Sequence, residues 1–88
     1  MSGFDASRRY RLDSDVALRP EPFGALAYHY GSRRLTFLRS RLLADVVRNL
    51  EQHPSVEEAL AAEVPQARRL AFRNALAALA DSRFICAC

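Results

Sequence analysis

From Arg19 to Leu38 the chain alternates with a period of two, and beyond Ser40 its apolar residues return every three or four positions. Gly31-Ser32 stands between two strand-like runs, Ala25–Tyr30 and Arg34–Leu38. It reads as a two-residue hairpin loop, because glycine tolerates the positive φ such turns need. That loop pairs Tyr30 with Arg33, His29 with Arg34, Tyr28 with Leu35, Ala27 with Thr36 and Leu26 with Phe37. Side chains alternate along a strand, so Leu26, Tyr28, Leu35 and Phe37 share one face, and Ala27, His29, Arg34 and Thr36 the other. One face is oily and the other small or polar, and such a sheet lays one side on helices while the other can stay wet. With Tyr30 and Arg33 as a hydrogen-bonded pair, Leu35 and Phe37 direct their N–H groups inward, and Arg34 and Thr36 direct theirs to the free edge. A short first strand, Val16–Leu18, precedes the hairpin and is ended by Pro20-Glu21-Pro22, since proline removes ladder donors.

Three helices follow. Ser40 is a candidate N-cap for the first, whose stripe is Leu43, Val46, Val47 and Leu50. Arg41 and Asp45 stand four apart on it, a pairing worth roughly 0.2–0.5 kcal/mol. His53-Pro54 stops this helix, because the residue before proline avoids the α region. Ser55 to Glu58 has the form of a capping box and opens a second, short helix with Ala59, Leu60 and Val64 as its apolar side. The third runs from Gln66 to Asp81, with Phe72, Ala75, Leu76 and Leu79 as its buried stripe and Arg69 and Arg73 on one flank. The expected fold is therefore α+β and winged helix-turn-helix-like: three short antiparallel N-terminal strands, then three helices. Residues 1–9 are expected to be a mobile polar segment, residues 10–85 the domain and residues 86–88 a tail.

At 88 residues, half of them apolar, the chain supports one modest core and no deep catalytic cavity. Its net charge of +3 is carried by arginine alone, with no lysine. Arginine forks suit carboxylate or phosphate partners, although a solvated arginine surface explains any single one equally well. The start has no apolar h-region, and the longest apolar run, Ala75–Ala80, is too short to cross a bilayer, so a cytoplasmic protein without a membrane partner is expected. Cys86 and Cys88 have no histidine nearby and fall short of a zinc site. His29 lacks a nucleophile or a second ligand and is expected on the strand surface. Glu57 and Glu58 are explained by the helix start. No catalytic or metal constellation is visible.

A basic third helix raises the question of DNA, since a helix-turn-helix seats such a helix in the major groove. Its exposed side offers Arg69, Arg73 and Asn74 among alanines, and Glu57, Glu58 and Glu63 stand on the preceding helix. A winged-helix DNA-binding protein is thus the second reading, with no nucleic acid expected on the first. The strand Arg34–Leu38 contains no proline, and as a sheet edge it presents unpaired N–H and C=O groups. Such an edge suits β-augmentation by an extended peptide, or it is merely screened by Arg33 and Arg34.

The string RPEPFGALAYHYG followed by RRLTFL, in residues 19–38, resembles the mycofactocin-biosynthesis peptide chaperones of the MftB type. These are precursor-peptide (RiPP) recognition elements, related to the D-type chaperone of pyrroloquinoline-quinone synthesis and similar to winged helix-turn-helix domains. The resemblance runs from about Tyr10 to Phe84. It implies a non-enzyme that holds the leader of a ribosomally made precursor peptide between the third strand and the third helix. It also implies presentation of that peptide to a radical S-adenosylmethionine maturase, which carries the cofactors; none is expected here. Carried onto this chain, the peptide-binding residues are Arg34, Leu35, Thr36, Phe37 and Leu38 of the strand and Arg69, Phe72, Arg73 and Leu76 of the helix. Leu35, Phe37, Phe72 and Leu76 would form apolar pockets, and Arg69 and Arg73 would select an acidic leader. The resemblance assigns no role to Cys86 and Cys88.

Overall fold

Four strands precede the helices and a fifth follows them. The computed structural model describes residues 3–88, and its strands are β1 (Tyr10–Leu12), β2 (Val16–Glu21), β3 (Gly24–His29), β4 (Arg34–Leu38) and β5 (Ile85–Ala87). The helices are α1 (Arg41–Asn49), α2 (Val56–Glu63) and α3 (Arg69–Asp81), with 3₁₀ turns at Leu50–Gln52 and Gln66–Arg68. The α+β class and the three helices are as expected, but the strands number five rather than three. They form an antiparallel sheet of order β2-β3-β4 and a separate β1-β5 ribbon. Three-residue strands at opposite ends of a chain show no alternation to read, which is why the ribbon escapes sequence analysis.

Within the sheet the hairpin register is the expected one from His29↔Arg34 to Leu26↔Phe37, and it extends to Ala25↔Leu38. The connection differs. Four residues, Tyr30 to Arg33, form the loop, and the positive φ (57°) falls on Arg33 rather than on Gly31. Tyr30 is not paired with Arg33; its N–H donates to the Asp15 carbonyl at 2.9 Å. Strand β2 also runs on through Pro20 to Glu21. An edge strand accommodates proline where the missing N–H faces outward, and Pro20 opposite Ala25 meets that condition. Gly24, at φ 150°, starts β3 directly beneath the end of β4. A Cβ there would lie 2.1 Å from the Leu38 carbonyl oxygen and 2.8 Å from the Ser40 nitrogen.

The small face of the sheet is the one turned inward. Ala25, Ala27, His29 and Leu38 are buried, and α1 packs across β3 on that side. Val46, Val47 and Leu50, at the end of α1, fill the core with Val56, Leu76 and Ile85. The expected surface position of His29 is corrected. Its ring is buried, edge-on to Phe84 at 5.7 Å, and its Nδ1 accepts from the Ser32 N–H at 3.1 Å. Core position follows from strand parity, which sets His29 on the same side as Ala25 and Ala27.

Serine side chains start both of the first two helices. Ser40 Oγ accepts from the Leu43 amide and Ser55 Oγ from the Glu58 amide, each at 3.1 Å. The expected Arg41–Asp45 pair is replaced by Arg48–Asp45 at 3.0 Å, while Arg41 donates to the Pro22 carbonyl and ties α1 to the β2–β3 turn. At α2 the segment before β1 completes the cap. The carbonyls of Arg8 and Ala6 accept from the amides of Val56 and Glu57, both at 3.0 Å, so the first three free N–H groups of the helix all have partners. Ala6 is buried, Phe4 lies 5.1 Å from the Tyr10 ring, and Arg9 donates to the Glu51 carbonyl. Residues 3–9, expected as a mobile lead-in, are thus bound to two elements; residues 1 and 2 lie outside the described residues. The expected tail is likewise held, with Cys86 opposite Arg11 and the Cys88 N–H donating to the Arg9 carbonyl at 3.0 Å.

Two stability predictions follow from these contacts. Gly24→Ala forces a Cβ into backbone and should cost at least about 2 kcal/mol. In a domain of this size that lowers Tm by roughly 10 °C, measurable by thermal circular dichroism. Deleting residues 1–9 should lower Tm as well, by removing two helix-capping carbonyls and the Phe4–Tyr10 contact. An unchanged Tm in the deletion would mean that water caps α2 equally well.

Candidate functional site

The outer strand β4 holds five of the nine expected site residues, and its hydrogen-bonding pattern is set by its neighbours. Each residue of an antiparallel strand sends its N–H and C=O to one side, and successive residues alternate. The two-residue Pro22-Phe23 turn makes Glu21 and Gly24 a bonded pair, and Tyr30 bonds Asp15 at the other end, so even-numbered residues of β3 serve β2. Ala25, Ala27 and His29 therefore bond their β4 partners Leu38, Thr36 and Arg34. Leu35 and Phe37 are left with N–H and C=O groups aimed at the open edge. This reverses the expected parity. The cause is the longer loop, which shifts the bonded pairs by one residue without changing the register. Pro20 obeys the same rule on the opposite edge, where its ring stands on the outer side of β2.

The side chains of β4 separate along the same parity. Leu35 and Phe37 are each 52% exposed, on the outer face. Leu38 is buried, Thr36 is half-buried, and Arg34 is exposed on the inner side at the start of the strand. There Arg34 lines a cavity of about 260 Å³ with His29, Ser32, Asp81, Ser82 and Arg83, at the C-terminal end of α3. Phe37 lines another, of about 350 Å³, with Phe23 and Arg39.

The four helical residues divide differently. Phe72 and Leu76 are buried in the core, 5% and 0% exposed. Arg69 is engaged structurally: its Nε donates to the Val64 carbonyl at 2.9 Å and its Nη2 to the Ala61 carbonyl at 3.2 Å, closing the end of α2. Arg73 is exposed. With Glu57, Leu60, Ala61, Arg69 and Leu70 it lines a cavity of about 300 Å³ between α2 and α3. Asp5 is close enough to feel Arg73. Hydrogen bonds from the Ser7 hydroxyl and amide hold the Asp5 carboxyl below its ordinary range, and Arg8 and Arg73 lower it further. The expected residues thus occupy three places: the β4 outer face, the Arg34–Asp81 cavity, and the groove between α2 and α3.

Sequence reasoning missed Phe23, Tyr30 and Arg39, which extend the apolar face beyond the strands. Phe23 and Phe37 meet edge to face at 5.9 Å, and Tyr28 and Tyr30 at 5.0 Å. Strand parity already groups Tyr28 with Leu35 and Phe37; the two turn residues carry no periodic signal.

His29 Nε2 is 3.9 Å from Asp13 Oδ1, and His53 Nε2 is 2.6 Å from Glu63 Oε2, which joins the turn after α1 to α2. Among the described residues no three or more His, Cys, Asp or Glu side chains stand together as a metal site. Among those residues, too, no helix is long and apolar enough to cross a membrane. What the geometry offers is an open strand edge, a broad apolar face and arginines around it.

The family profile of the peptide chaperone MftB family matches residues 9–86. A peptide chaperone MftB of Mycobacterium ulcerans is 47% identical over 83 residues, covering 93% of this chain and 76% of its own. Those of Mycolicibacterium smegmatis and Mycobacterium tuberculosis are 43% and 42% identical, covering 93% and 96% of this chain and 81% and 78% of theirs. No solved structure matches. With its hairpin, helices and closing ribbon all inside the matched span, this chain belongs to the peptide chaperone MftB family.

Proposed function

We propose that this protein binds the leader of a ribosomally made precursor peptide by strand addition at β4, and presents it to a radical S-adenosylmethionine maturase in mycofactocin biosynthesis. The supporting observation is the pair of outward-facing amides at Leu35 and Phe37 on an edge strand without proline, while Pro20 blunts the opposite edge. An extended peptide satisfies these groups by backbone pairing, which tolerates sequence variation, and its side chains select by what they meet. On the outer side they meet Leu35 and Phe37. On the inner side they meet Arg34, with Arg73 on α3 as a further cation for an acidic leader. Phe72 and Leu76 act from behind, as core that fixes α3 in place.

The protein's part is non-catalytic, as the name peptide chaperone implies for its relatives. Holding the substrate beside the enzyme raises its effective concentration and leaves the chemical barrier to the maturase. The iron–sulfur and S-adenosylmethionine chemistry belongs to that enzyme, in the cytoplasm.

Proline substitution tests the edge. Leu35→Pro removes an outward donor and should fold normally while losing about tenfold in affinity for labelled leader, or about 1.4 kcal/mol. Thr36→Pro removes an inward ladder bond and should lower Tm. A folded Leu35→Pro variant that binds leader like the parent would exclude strand addition here. The two helical arginines should also separate. Arg73→Glu should weaken leader binding several-fold at low salt with no change in Tm. Arg69→Glu should lower Tm, because it uncouples two carbonyls at the end of α2.

A further inference from the structure

Cys86 and Cys88 are free thiols, the first half-buried and the second exposed, and neither takes part in peptide binding as proposed above. They belong to the β1-β5 ribbon, not to the β2-β3-β4 sheet. The ribbon's pairing is fixed at both ends. The Asp13 N–H donates to the Phe84 carbonyl and the Cys88 N–H to the Arg9 carbonyl, with Arg11 opposite Cys86 between them. Tyr10, Leu12, Ile85 and Ala87 form the face that packs on the core. Alternation therefore gathers Arg9, Arg11, Cys86 and Cys88 on the other face.

The spacing of the two thiols decides what they can hold. Residues two apart on a strand have parallel Cβ directions about 6.6 Å apart. A disulfide needs its Cβ atoms within roughly 3.5–4.5 Å, so closing one would bend β5 out of its pairing with β1. A single ion bridges the same gap without bending. With metal–thiolate bonds of about 2.3 Å each, two sulfurs leaning towards one another stand about 4.6 Å apart, in line through the ion. Two ligands do not complete a tetrahedral zinc site, and among the described residues no third His, Cys, Asp or Glu joins them. Thiolates select soft ions, and the soft ion satisfied by two thiolates in line is copper(I).

Charge points the same way. A copper(I) bis-thiolate carries one net negative charge, and Arg11 and Arg9 stand across the ribbon from its two sulfurs. Arg9 is held in place, its Nε donating to the Glu51 carbonyl at 2.8 Å. Cys86 also borders a cavity of about 390 Å³, lined by Arg8 and Arg83 as well as Asp13 and Asp81, which gives the half-buried thiol a route to solvent.

We propose that Cys86 and Cys88 form a two-coordinate thiolate site for copper(I) on the outer face of the β1-β5 ribbon. Binding forms two Cu–S bonds and breaks two S–H bonds; both protons pass to solvent, and no electron is transferred. The bound ion ties β5 in its paired conformation, and the site stands whether or not a peptide adds at β4.

The test is a competition titration. Copper(I), kept reduced by ascorbate under nitrogen, is offered as its bicinchoninate complex to the reduced full chain and to Cys86→Ser, Cys88→Ser and Arg11→Glu. The expected result is one copper(I) per monomeric chain. Each serine variant should lose a hundredfold or more in affinity, and Arg11→Glu several-fold, with unchanged circular dichroism. One equivalent of copper(I) should raise the Tm of the parent by several degrees and leave that of Cys88→Ser unmoved. Cys88 is exposed, so this variant decides the matter even if Cys86→Ser fails to fold. No transfer of copper to the parent, or a serine variant that binds like the parent, would overturn the site. So would half an equivalent per chain in a species that sediments as a dimer, or displacement of copper(I) by zinc(II) at equal concentration. An intrachain disulfide formed in oxidised glutathione with Tm unchanged would overturn the spacing argument on which the site rests.

Discussion

The close approach of α1 to β3 over Ala25 and Ala27 governs the rest of this molecule. Two methyl side chains are all that the strand places between itself and the helix, so the helix can supply the valines and leucine of the core. Strand parity then leaves no choice for the larger residues. Leu26, Tyr28, Leu35 and Phe37 must stand on the far side, where water meets them. A sheet that faces its helices with alanine and its surroundings with aromatics is inverted relative to the common pattern. Exposed apolar area of this kind contributes to stability only when something covers it.

Order in the first residues has a related origin. Helix α2 is short and begins where its amides would otherwise face water, and the bend before β1 brings two carbonyls to them. The ribbon of β1 and β5 then pins that bend from behind, with Arg9 accepting from Cys88. Secondary structure made from the chain's outer segments thereby serves a helix in its middle.

Much of this was legible in the sequence and some was not, for identifiable reasons. Serine caps, the proline stop after α1, the helix stripes and the hairpin pairs from His29↔Arg34 to Leu26↔Phe37 depend on residues close together, and the structure has them as the sequence implies. Loop length between His29 and Arg34 was misjudged because Gly31 suggested positive φ where Arg33 carries it. The longer loop keeps the pairs from His29↔Arg34 to Leu26↔Phe37, parts Tyr30 from Arg33 and exchanges the outward amides. Phe72 and Leu76 show a second limit. An apolar helical stripe has the same spacing whether it lines a groove or fills a core, and only the packing of α3 onto its neighbours decides. Arg69 shows a third, since a cation on a helix flank gives no sign that a preceding helix end will claim it. The ribbon, formed between distant segments, left no local trace.

The β1-β5 ribbon also bears on how the protein is made. Ile85 is among the largest fully buried side chains, and it arrives with the last strand. The β2-β3-β4 meander has only short-range pairings and can assemble early, whereas the core cannot close until β5 has left the ribosome and found β1. Until then the nascent chain shows apolar surface on both sides of the sheet, the inner side still awaiting its helices. Rapid translation of the final segment would shorten that interval.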